Sequence, residues 1–145
     1  NYSLQLDSLA KAVQLLNPDI NTVKNYLPSN ILNKNFQFEK NELNLKTIRF
    51  ENRNKDYYII ITYIDRSKEE HLIGMNNEYL VSNGGLFNLP KALKGIWENN
   101  MLIIYYNELC GINLLKLSFT FTDTSVDLNI NDLTDGWTLS LKGLF

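Results

Sequence analysis

From Asn35 onward, apolar residues recur at every second position in short runs, and most runs are cut by Asn, Asp or Gly. This alternation limits the possible folds more than any other feature of the chain. Successive side chains of a strand point to opposite faces, so a period of two gives each strand one apolar face. Phe36 and Phe38 begin the series, followed by Ile48 and Phe50. Further runs lie at 57–64, 71–74, 78–81, 92–98, 101–107, 113–121, 125–130 and 136–144. Between them stand Asn76-Asn77, Asn83-Gly84-Gly85, Asn99-Asn100, Gly111, Asp123-Thr124 and Asp135-Gly136. Asn and Gly accept the positive φ angles of tight hairpins. Strands joined in order by such turns predict an antiparallel meander. Closing that meander into a barrel of about eight strands removes its exposed edges. Strand and helix do not alternate, which argues against a doubly wound parallel sheet.

One hairpin can be written residue by residue. With Asn99-Asn100 as a two-residue loop, Glu98 faces Met101, Trp97 faces Leu102, and Ile96 faces Ile103. Gly95 then faces Ile104, Lys94 faces Tyr105, and Leu93 faces Tyr106. Cross-strand partners share a face. Leu93, Gly95, Trp97, Leu102, Ile104 and Tyr106 form one side, and the side carrying Lys94 and Glu98 points outward. Later strands add the inward sets Leu115, Leu117, Phe119 and Phe121, then Val126, Leu128 and Ile130, then Trp137, Leu139 and Leu141. An eight-stranded barrel has little room inside. These bulky residues predict a plugged core rather than an open cup.

Residues 1–34 read differently, as a short helical appendage to a barrel domain over 35–145. Leu6, Leu9, Val13 and Leu16 fall at helical spacing, with Asp7 placed to cap and Pro18 to stop. A second turn is expected from Asp19 to Tyr26, ended by Pro28. The first residues lack a basic region, an apolar stretch and an initiating Met, so they do not read as a signal peptide; the missing Met suggests a fragment or a processed chain. No apolar run approaches the roughly 20 residues that a membrane helix needs. A net charge of −2 and 21% charged residues give no basic platform for nucleic acid. One Cys excludes an intrachain disulfide, and with one His it leaves too few ligands for zinc, so no metal or cofactor is expected.

Several small motifs have ordinary readings. Ser8-Leu9-Ala10-Lys11 matches the Ser-x-x-Lys of penicillin-binding enzymes, and Tyr105-Tyr106-Asn107 matches their Tyr-x-Asn element. That chemistry needs a large α/β framework, for which this chain has no room, so no catalytic residue is assigned. His71 is expected at the surface near a strand start, and Cys110 in a loop. Glu69-Glu70, and Asp132 with Asp135, read as solvated turns rather than calcium ligands. The outer face of the hairpin carries Ile96, Met101, Ile103 and Tyr105, and the strand 57–64 is apolar on both faces. Either the N-terminal helices cover these residues, or they form a docking surface.

Residues from about 28 to 145 resemble the C-terminal lipocalin-like domain of β-lactamase-related and penicillin-binding-protein-type serine hydrolases. The resemblance rests on Pro28 to Phe38, Asn41 to Phe50, Leu89 to Glu98, Leu102 to Glu108, the pair Phe119 and Phe121, and Gly143. It implies a noncatalytic accessory domain that aids interdomain packing, active-site access or oligomer assembly. Its partner would be an upstream catalytic domain or a sister subunit, often at the cell envelope. A different function is a self-contained barrel for a small apolar ligand, with a void lined by Trp97, Tyr106 and Trp137. A third is a carbohydrate module stacking sugars on Tyr57, Tyr58 and Tyr63.

Overall fold

The computed structural model describes residues 26–82, 90–109 and 113–145. Most of the expected N-terminal helix lies outside the described residues, as do Ser8, Lys11 and Cys110. The described chain opens on a 3-10 turn, Ser29–Ile31. Leu27 and Ile31 are buried in the barrel's core cluster. The Asn33 amide donates to the Phe50 carbonyl at 2.8 Å, tying this stretch to the sheet.

Ten strands follow among the described residues: β1 (Phe36–Phe38), β2 (Leu45–Arg53), β3 (Asp56–Tyr63), β4 (Lys68–Ile73), β5 (Leu80–Ser82), β6 (Lys91–Glu98), β7 (Met101–Glu108), β8 (Leu114–Phe121), β9 (Ser125–Asp132) and β10 (Thr138–Leu144). They form one sheet in the order β4-β3-β2-β1-β10-β9-β8-β7-β6-β5, antiparallel at each ladder. This is the expected meander, with ten strands rather than about eight. Two of them, β1 and β5, are only three residues long.

The sheet curls until its ends nearly meet. Gly74, just after β4, forms a parallel bridge to Lys94 of β6. Its amide donates to the Leu93 carbonyl at 3.0 Å, and its carbonyl accepts from the Gly95 amide at 2.9 Å. A Cβ on Gly95 would press on Ile73 and Met75 across this seam, so glycine permits the approach, while a Cβ on Gly74 would collide with the Glu78 carbonyl in the connection from β4 to β5. The Leu72 amide also donates to Ser82 Oγ of β5, at 2.9 Å.

The 91–108 hairpin has the register deduced from its sequence, from Leu93 opposite Tyr106 to Glu98 opposite Met101. Asn99 and Asn100 have φ of 52° and 61°, as a two-residue loop with two left-handed positions requires. All six residues placed on its inner face are buried. Inward rings fill one end of the barrel. Phe50 meets Phe119 edge-on at 5.2 Å, Trp97 lies 5.7 Å from Phe121, and Phe36 packs between Phe121 and Phe145. Burying such rings supplies much of the apolar stabilisation available to a sheet this size.

The opposite end is hollow. The plugged core expected from sequence therefore holds for half the barrel and is corrected for the other half. Physically, ten strands enclose a wider cylinder than eight, and the aromatic residues gather near one end.

Candidate functional site

The hollow end contains a cavity of about 530 Å³. Ile48, Ile61, Leu117 and Leu128 give it an aliphatic floor. Nearer the mouth stand Tyr63, Tyr106, Trp137, Glu69, Lys91 and Glu108. Strand alternation places them there. Lys91 continues the inward series Leu93, Gly95, Trp97 by one step, and Glu108 continues Leu102, Ile104, Tyr106. Asp132 likewise extends Val126, Leu128 and Ile130, and Glu69 and His71 precede the inward Ile73. Each inward series thus ends on a polar residue at the same end of the barrel.

These groups are bonded to one another. The Tyr106 hydroxyl donates to Glu69 Oε2 at 3.0 Å, and His71 Nε2 lies 3.1 Å from the same oxygen. An ionised carboxylate oxygen only accepts, so against ionised Glu69 it is His71 Nε2–H that donates. His71 Nδ1 is buried with no hydrogen-bond partner among the described residues. The Glu69 charge also reaches the Tyr63 hydroxyl. Burial first, and then the nearby Glu69 charge, push both tyrosine hydroxyls well above the ordinary phenol range. Lys91 Nζ pairs with Glu108 at 3.2 Å and lies 5.6 Å from the centroid of the Tyr106 ring. Asp132 Oδ1 accepts from the amides of Thr134 and Asp135 at 2.8 and 2.9 Å, which fixes the turn leading to Trp137.

Several expected positions change. His71 is fully buried, and Glu69 is buried beside it, because β4 begins at Lys68 and both alternate inward. Asp132 is buried as well, so its turn is not merely solvated. Of the three residues expected to line a void, Tyr106 and Trp137 line the cavity, whereas Trp97 stands in the aromatic plug. Trp137 is 40% exposed at the mouth. Ile96, Met101, Ile103 and Tyr105 lie together, half-buried, on the outer face of β6 and β7. Tyr57, Tyr58 and Tyr63 do not form one platform. Tyr57 and Tyr63 pack toward the core, while Tyr58 faces outward beneath Arg53, 4.7 Å from its ring centroid. Among the described residues, no group of three His, Cys, Asp or Glu side chains could hold a metal ion. No helix among them is long and apolar enough to cross a membrane.

Sequence reading passed over Tyr63, Glu69, Lys91 and Glu108 as cavity residues. The available signal was register: each continues an apolar inward series at its mouth end.

A nearly closed antiparallel barrel with an internal cavity is a fold of the lipocalin and fatty-acid-binding type. In particular, the chain is similar in structure to a fatty-acid-binding protein from the brain of Drosophila melanogaster, with a TM-score of 0.55 and 12% sequence identity. The match covers 78% of this chain and 98% of the fly protein. No protein-family model and no curated protein matches the chain. The accessory-domain function expected from the hydrolase resemblance is corrected here. The solved fold that this chain matches is nearly the whole of a fatty-acid-binding protein, and a cavity stands where a solid core was expected.

Proposed function

We propose that this chain is a self-contained ligand-binding barrel that encloses one small, largely apolar molecule. The carrying observation is the cavity of about 530 Å³, with its aliphatic floor and its polar, aromatic mouth. Its volume lies within the roughly 300–1,000 Å³ usual for small-molecule sites, and it combines apolar walls with a few fixed polar groups, as such sites do. An apolar tail buried against Ile48, Ile61, Leu117 and Leu128 leaves water, which is the main driving force for binding. Tyr106 and Trp137 would flank the part of the ligand nearest solvent. The likeness to a fatty-acid-binding protein supports the same reading through the fold.

The test is titration with the neutral apolar probe N-phenyl-1-naphthylamine, followed by its fluorescence. Saturable, one-to-one enhancement is expected. Leu117→Trp, which fills the floor, should weaken binding about tenfold or more while far-UV circular dichroism stays unchanged. A wild-type protein giving no saturable signal, or a folded Leu117→Trp protein binding equally well, would overturn the proposal.

A further inference from the structure

The charges around the cavity are lopsided. Its lining holds four carboxylates, Glu69, Glu108, Asp132 and Asp135, and one ammonium, Lys91. Lys91 is not waiting for an anion: Glu108 engages it at 3.2 Å, and it is 5% exposed. Three aromatic residues, Tyr63, Tyr106 and Trp137, line the same cavity. The fields of Glu69 and Glu108 also reach both tyrosine hydroxyls and help to keep them protonated. An anionic head brought to this mouth meets like charges, and the lining ammonium is already paired. Glu108 is engaged by Lys91, and Glu69 and Asp132 already accept hydrogen bonds but keep their negative charge. A cationic head therefore meets a net negative field, the Asp135 carboxylate and the aromatic residues Tyr106 and Trp137, the features that recognise organic ammonium groups.

We infer that the cavity takes a single-tailed amphiphile with a cationic head, an aliphatic amine or quaternary ammonium, rather than a fatty acid. This inference rests on the ligand-binding reading above and specifies the chemistry of the ligand. The tail lies along Ile48, Ile61, Leu117 and Leu128. The head sits at the mouth, near Trp137 and Asp135, where water still reaches it. The fatty-acid-binding protein thus resembles this chain in fold, while the charges of this cavity select the opposite head group.

The experiment compares three ligands with the same tail by isothermal titration calorimetry, each below its micelle concentration: decyltrimethylammonium, decanol and decanoate. Decyltrimethylammonium is expected to bind about tenfold or more tightly than decanoate, with decanol between them. Decanoate binding as tightly as the ammonium, or more tightly, overturns the head-group inference and leaves the ligand-binding reading intact. If decanoate binds best and loses that advantage in Lys91→Met, Lys91 is a carboxylate anchor and the inference is equally overturned. If none of the three binds, and N-phenyl-1-naphthylamine also fails, the ligand-binding reading falls with it.

Discussion

At the scale of single residues, the mouth is a place where burial and polarity have been reconciled by hydrogen bonds. Glu69 and His71 would each be costly inside a barrel without partners. Glu69 accepts from Tyr106 and His71, so its charge is shared between donors. Removing one donor exposes that dependence. Tyr106→Phe keeps the ring and deletes the hydroxyl, and it is expected to destabilise the fold by about 1–3 kcal/mol in urea unfolding. On the outer wall, Ile60 is buried although it faces away from the core. Its cross-strand neighbours are Arg49 and Glu70. Those two belong to an ion-pair group with Glu51, Arg53 and Lys68, whose long stems cover apolar surface while their heads stay wet. Arg53 holds the Glu51 and Glu70 carboxyls below the ordinary range.

At the scale of elements, turns and the closing seam set the register. The β2–β3 loop is a two-residue turn, since Arg53 pairs with Asp56. Both of its residues have positive φ, 52° at Asn54 and 73° at Lys55. Asn tolerates this conformation and Lys does so poorly. Lys55→Gly is therefore expected to stabilise the protein by about 0.5–1 kcal/mol, visible as a higher urea midpoint at unchanged slope. The connection from β4 to β5 responds in the opposite direction. Gly74→Ala forces a Cβ against the Glu78 carbonyl, where rigid backbone cannot give way. A loss of about 3 kcal/mol is expected from the same measurement. The strand plan was legible because apolar alternation and Asn-rich turns reinforce each other, most completely in the 91–108 hairpin. The Asn54-Lys55 turn was less legible, since lysine carries no turn signature. The Gly74 closure was invisible, because it joins residues through space rather than through a local pattern.

At the scale of the whole molecule, the barrel has a packed end and a hollow end. Apolar alternation announced an interior but not how full it would be, because a ring of inward side chains can meet at the axis or leave a gap. The polar mouth was concealed for a related reason. Glu69, Lys91, Glu108 and Asp132 look like strand-end surface residues until register carries them inside. The two tyrosine hydroxyls among them make stability depend on alkaline pH. In the unfolded chain Tyr63 and Tyr106 ionise near pH 10, whereas in the barrel burial and the Glu69 charge hold both phenols above that value. Their contribution is fully retained below pH 10 and lost progressively above it, as the unfolded state alone releases protons. Chemical denaturation across that range should show the fall, with a smaller fall in Tyr106→Phe. The uneven filling also divides the molecule in time. Strand halves lined by interlocked rings are expected to exchange their amides only through global unfolding, and halves around the void through local opening. A guest seated in that void would quiet the second set of amides and leave the first untouched, so occupancy would be written in the tempo of one half of each strand.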